Sequence, residues 1–282
     1  MPNCAPLYVQ PPTVEPYRYG LFSVAQMPAE TDPHWRCGVE WEPLACIPAH
    51  GVGDQCDNPG VQKELDDGVP LVSATPFVIH ANYLCRLPGR PDPAEIERRA
   101  REALRLGEQR AVEQTVWTGE LGNTPFLADP AAVVLNDGGL PVAAADALNM
   151  TGGIAALESY LRANYGGTGV IHAPAGAIPV MARYHQLREP DSGPLRTWLG
   201  TPVAAYGVAP NIGPDGLPAP DGTAWLYATG PVAIRRGDVF LNPPNLAGAF
   251  NRTTNEVAML AEREYVVGWD CLHAAVLVNI NC

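Results

Sequence analysis

Lysine is all but missing from this chain: Lys63 is the only one, and arginine supplies every other cationic side chain. Basic residues as a group are scarce, 18 Lys+Arg against 30 Asp+Glu, for a formal net charge of −12. A surface of that sign repels phosphate, which argues against a nucleic-acid-binding face. It suits a protein that must not stick to DNA crowded against it, although solubility alone explains it equally well. No apolar run approaches the roughly 20 residues that a membrane-spanning helix needs. The opening segment, MPNCAPLYVQPP, has no basic region followed by an apolar one, so no secretory signal is expected. The seven cysteines are an odd number without framework-like spacing, and a reduced cytoplasmic setting is the expectation. Catalytic signatures are lacking as well: there is no G-x-S-x-G, no P-loop, no H-E-x-x-H, and no G-x-G-x-x-G leading from a strand into a helix.

What the chain does have is proline (30) and glycine (28), and 46% hydrophobic residues over 282 positions. That is enough to bury a sizeable core, in a chain of many turns and extended connections. One segment stands apart. Residues 92–118, DPAEIERRAREALRLGEQRAVEQTVWT, read as a single helix. Asp92 suits the cap, Pro93 the first turn, and Glu95 a capping box. Ile96, Ala100, Ala103, Leu104, Gly107, Ala111, Thr115 and Val116 form a narrow apolar stripe, and Arg98, Arg101, Arg105 and Glu108 belong to the charged cover. At about 1.5 Å per residue such a helix is about 39 Å long, a girder that lies on a sheet with its other faces free.

Around it, residues 1–47 lack periodicity but carry Tyr8, Tyr17, Tyr19, Phe22, Trp35 and Trp41, as expected of an extended arm whose rings bury against something else. Residues 48–70 are acidic and turn-rich, and 71–86 read as a strand returning from that loop. A second helix is expected at about 151–165, capped by Thr151, a third at 177–187, and strands at 169–173, 197–207, 224–236, 256–270 and the closing apolar run. Helices and strands mix without a βαβ rhythm, so the class is α+β.

Two constellations carry chemistry. His34, Cys37, Cys46 and His50 have the spacing H-x2-C-x8-C-x3-H, a donor set able to hold tetrahedral zinc and pin a loop-rich arm. The alternative is thiols and imidazoles scattered along an arm, and no metal or cofactor is adopted. A disulfide among these cysteines becomes accessible in oxidising surroundings. His172, behind Val170 and Ile171, has the setting of a catalytic base or of a satisfied strand histidine.

The order of elements resembles the Hong Kong 97-type major capsid protein of tailed bacteriophages. GVIHAPAGAIPVMARYHQLREPDSGPLRTWLGTPVAAYG (169–207) is similar to that family's strand, helix, turn and G-x-P-V strand. NEVAMLAEREYVVGWDCLHAAVLVNI (255–280) is similar to its closing pattern of an Arg-bearing strand, a turn and a final apolar strand. The resemblance implies an N-terminal arm at 1–47, an E-loop hairpin at 48–80, a peripheral domain with the spine helix at 81–130, an axial domain at 131–235 and a return to the peripheral domain at 236–282. It implies a virion capsid subunit, not an enzyme, that assembles in the host bacterial cytoplasm. Its partners would be itself, in pentamers and hexamers, with scaffolding, portal and decoration proteins, enclosing DNA without sequence-specific contacts and without a membrane. Some members cross-link through an isopeptide bond. The corresponding candidates are Lys63 as nucleophile, Asn251 or Asn255 as acceptor, and Glu262 as the assisting carboxylate; Glu64, Asp66 and Asp67 beside Lys63 favour its unreactive charged form. An encapsulin-like compartment shell shares the fold and is the alternative; an enzyme using His172 or the His34–His50 cluster is the third reading.

Overall fold

The computed structural model describes residues 12–29, 32–50, 70–85, 92–188, 192–251, 253–254 and 256–281. In chain order the elements are α1 (Leu21–Val24), β1 (Val39–Trp41), β2 (Val72–Ala74), β3 (Pro76–Cys85), α2 (Pro93–Thr118), β4 (Val133–Val134), α3 (Met150–Asn164), β5 (Val170–Pro174), α4 (Ile178–Arg183), β6 (Leu195–Arg196), β7 (Pro202–Tyr206), β8 (Thr223–Thr229), β9 (Val232–Arg236), β10 (Phe240–Asn242), α5 (Leu246–Ala249), β11 (Phe250–Asn251), β12 (Glu256–Trp269) and β13 (His273–Asn279).

Two sheets organise the chain. In the five-stranded sheet every partner pairs with the long strand β12: β3 along one edge, and β11, β10 and β9 in turn along the other. The six-stranded sheet runs β4-β13-β8-β5-β7-β6. Along β12, Val257, Met259, Ala261, Tyr265 and Val267 are buried on one face while Arg263 interrupts them, the pattern that alternation in the sequence predicts. After Trp269 the chain turns and β13 joins the other sheet. The segment 236–282 therefore contributes strands to both sheets.

Helix α2 lies on β3 and β12. Ile96, Ala100, Leu104, Val112 and Val116 are buried along one side. Near its end Trp117 wedges against the six-stranded sheet, edge-on to Tyr206 and Tyr227 at 5.3 Å each, and its indole N–H donates to the Ile212 carbonyl at 3.0 Å. One helix thus spans both sheets. It ends at Gly119 (φ +68), where a Cβ would meet the Phe126 ring at 2.7 Å.

Several expectations need correction. Asp92 does cap α2, accepting from the Ala94 N–H at 3.2 Å, but Glu95 completes no capping box because its carboxylate is taken by Arg98 and Arg99. Gly107 is exposed and Glu108 is buried, the reverse of the assignment above. Only the first half of α2 keeps a broad free face, since Val112, Glu113, Thr115, Val116 and Trp117 are all buried. Asn149, not Thr151, caps α3, accepting from the Gly152 N–H at 2.8 Å. The span 224–236 is two strands in different sheets, broken at Gly230-Pro231, and 197–201 is a tight turn before β7. A parallel β5-α4-β7 crossover exists within the otherwise α+β layout. Of the arm's rings, Trp35 is buried on its own chain, Phe22 is half-buried and stacks on Tyr265 at 6.4 Å, and Tyr17 stays 40% exposed. Tyr8 and most of the acidic loop lie outside the described residues.

Candidate assembly surfaces

The arm is fastened at Glu113. This carboxylate sits inside α2 where it meets both sheets, and it accepts four hydrogen bonds. Tyr17 Oη and the Gly207 N–H donate to Oε2 at 2.6 and 2.9 Å; the Leu21 N–H and Gln109 Nε2 donate to Oε1 at 2.9 and 3.1 Å. Burial raises the Glu113 carboxyl above its ordinary value, against the pull of those donors. Gly20 must be glycine here, because a Cβ would collide with Gln109 Nε2 and Glu113 Oε1. About one and a half turns earlier, Glu108 Oε2 accepts from Tyr265 Oη at 2.6 Å and Arg263 NH1 at 2.8 Å, pinning α2 to β12.

The two legs of the acidic loop are paired at their root. β1 and β2 form an antiparallel ladder from Val39↔Ala74 to Trp41↔Val72. That root is tied to the turn between the sheets. Trp41 Nε1 donates to Asp270 Oδ1 at 3.3 Å, Tyr165 Oη donates to Asp270 Oδ2 at 3.0 Å, the Gly166 N–H donates to the Ala45 carbonyl at 2.8 Å, and Cys46 is disulfide-bonded to Cys271. The zinc set is thereby broken. The Cys46 sulfur is bonded to Cys271, the exposed His34 imidazole instead meets Asp32 at 2.7 Å, and Cys37 is an exposed free thiol. Among the described residues no cluster of three or more His, Cys, Asp or Glu is placed to hold a metal.

Of the cross-link candidates, Lys63 and Asn255 lie outside the described residues. Asn251, in β11, is exposed and its Oδ1 accepts from the Thr253 N–H at 3.0 Å. Asn251 stands opposite Glu256, whereas Glu262 stands opposite His80 and Phe240. The six-residue offset along β12 separates Asn251 from Glu262 by about 20 Å within one chain. His172 is fully buried, with Nδ1 on Tyr206 Oη at 3.0 Å and Nε2 on Thr229 Oγ1 at 2.8 Å. Burial drives its pKa down to about 3, so it is a neutral strut of the core without access to a substrate.

The free face of α2 is a ladder of ion pairs: Arg98 and Arg99 on Glu95, and Arg105 on Glu102. Arg101 NH1 donates to the Val239 carbonyl at 3.1 Å, and Arg98, Arg101, Arg105, Arg236 and Arg263 line one groove of about 410 Å³. An arginine-rich groove on a chain of net charge −12 is a local inversion of sign. A second exposed feature is apolar: Trp198 (63% exposed) and Leu199 (58%) stand at the tip of the turn before β7.

Sequence reasoning missed the buried carboxylates Glu108, Glu113 and Glu158. The signal was there: Glu108 lies four residues from both Leu104 and Val112, and Glu113 four from Trp117, so each falls in a buried row of its helix.

No protein-family model matches the sequence, and no curated protein matches it. Solved structures do. The capsid of Ralstonia phage GP4 matches with TM-score 0.54 at 12% identity, covering 100% of this chain and 96% of that one. The capsid of the native GTA particle matches with TM-score 0.54 at 13% identity, over 96% and 95%. The holo-SrpI encapsulin complex from Synechococcus elongatus matches with TM-score 0.52 at 13% identity, over 99% and 94%. The chain therefore has the Hong Kong 97-type capsid fold.

Proposed function

We propose that this chain is a shell subunit, the major capsid protein of a tailed bacteriophage, that self-assembles into pentamers and hexamers of an icosahedral head enclosing double-stranded DNA. The observation that carries the reading is the near-complete coverage in both directions against phage and GTA capsids, which leaves little of either chain for another task. The protein's work is association, not catalysis: modest interfaces repeated over a closed lattice. The net charge of −12 is in keeping with DNA held without base-specific contacts. Scaffolding, portal and decoration proteins are the further partners of the reading, and the host bacterial cytoplasm the place of assembly.

A compartment shell is the second reading, favoured by the encapsulin match over the same extent. Expression of the chain together with its neighbouring genes, purification of particles and digestion with nuclease separates the two. Particles co-expressed with their neighbouring genes should protect double-stranded DNA under the first reading and a protein cargo under the second.

A further inference from the structure

The turn at Thr197–Thr201 is built far more firmly than a surface turn requires. The Thr197 N–H donates to the Thr201 carbonyl at 2.9 Å, and the Gly200 N–H to the Thr197 carbonyl at 3.0 Å. Gly200 adopts φ +90, open to glycine and strained for other residues. Beneath the turn, the buried carboxylate of Glu158 accepts from Thr197 Oγ1 and, at 3.0 Å, from Thr201 Oγ1. Two arginines close it from outside: Arg196 NH1 donates to the Gly200 carbonyl at 2.6 Å and Arg162 NH2 to the Leu199 carbonyl at 3.2 Å. The turn nevertheless offers its two apolar side chains to solvent. Trp198 is itself held, its indole N–H on the His185 carbonyl and its ring 5.5 Å from the Arg188 guanidinium. A rigid, preordered Trp-Leu pair loses little freedom on binding, which is what a strong contact residue needs.

The same sheet carries a matching hollow at its other edge. β6 and β7 lie at one end of the strand order and β4 and β13 at the other. There, Ala132, Val134, Ala144, Pro218, Trp225 and Leu277 line a recess of about 480 Å³, large enough for both side chains. Its rim carries the Asp215 carboxylate, with exposed Asp146 and Asp221 adjoining, while the knob carries Arg162, Arg188 and Arg196. Knob and hollow therefore agree in size and are opposite in charge. Because they lie on opposite edges of one sheet, a copy cannot satisfy its own pair, and a head-to-tail contact between copies is the kind that closes into rings.

We propose that Trp198 and Leu199 of one copy seat in the Ala144–Pro218 recess of the next copy around a ring. This rests on the shell reading above and names the contact that builds its capsomers.

The test replaces Trp198 with the photo-reactive residue p-benzoylphenylalanine in the full chain, irradiates assembled particles and maps the cross-linked peptides. Cross-links to residues 130–145 or 214–220 of another copy are expected. Cross-links confined to other surfaces, to another protein, or to the same chain overturn the proposal. If the variant does not assemble, the same probe at Ala144 should capture the 196–201 turn of a neighbour, and its capture of a different segment is equally decisive. A third measurement is independent of the probe. Trp198→Ala and Ala144→Trp should each reduce particle yield roughly tenfold with an unchanged melting temperature; full yield from both overturns it. A wild-type chain that forms no oligomer at all would defeat the shell reading itself, a result distinct from particles that form with their cross-links elsewhere.

Discussion

The Tyr17 hydroxyl donates a 2.6 Å hydrogen bond to Glu113 Oε2 across 96 residues of sequence, and so fastens the arm to the C-terminal part of the long helix. Because the same carboxylate takes the Leu21 and Gly207 N–H groups, it joins the arm, α2 and the six-stranded sheet at one point. Glu113→Ala leaves those donors unpaired in the interior and should cost about 3 kcal/mol of unfolding free energy. Tyr17→Phe removes one bond and should cost about 1 kcal/mol. Urea unfolding measures both. Equal losses from the two variants would contradict a multi-donor clamp.

Cys46 and Cys271 are separated by 225 residues and covalently joined. Peptide mapping without reductant should recover the 46–271 pair. In oxidising buffer Cys271→Ser should lose about 2–4 kcal/mol, and in reducing buffer it should match the wild type. Loss of the same size under both conditions would place the effect in packing and not in the bond.

Acid should weaken the fold through its buried histidines. Burial lowers His172 to about 3 and His273 to about 4, whereas an exposed histidine titrates near about 6.5. Both stay neutral when folded and take up a proton when unfolded. Their contribution is complete above about pH 6.5 and is lost as pH falls toward the folded values, by about 1.4 kcal/mol per pH unit for each. Glu113, whose carboxyl is raised, works in the opposite direction and gains stability as it protonates. His172→Gln should therefore flatten the slope between pH 6.5 and 4.5 relative to wild type. An unchanged slope would mean that His172 protonates in place.

The arginine groove should matter between subunits more than within one. Arg98 and Arg101 are exposed, and their pairing with Glu95 and with the Val239 carbonyl lies at the surface. Arg98→Glu together with Arg101→Glu should lower particle yield while the melting temperature changes little. Undiminished yield would remove this face from the assembly surfaces.

The long helix was legible because its signals are local: a cap at Asp92, a terminator at Gly119, and a periodic stripe. So was the alternation in the first half of β12, before the strand becomes buried on both faces from Tyr265 to Trp269. What escaped was long-range pairing. Nothing near Cys46 points to Cys271, and nothing near Tyr17 points to Glu113, so the points where the arm is fastened to its own chain could not be read from the arm itself. Glu108 was misread because charge was taken as exposure, although its spacing from Leu104 and Val112 placed it in a buried row. The knob at Trp198 was hidden for a related reason. A Trp-Leu pair before Gly200 reads as part of a buried strand until the turn around Glu158 is seen to face it outward.

The most direct measurement is electron microscopy of the chain expressed alone or with its neighbouring genes. The account predicts closed shells or pentameric and hexameric capsomers built from this one subunit. A persistent compact monomer at concentrations where shells of this fold form would contradict it.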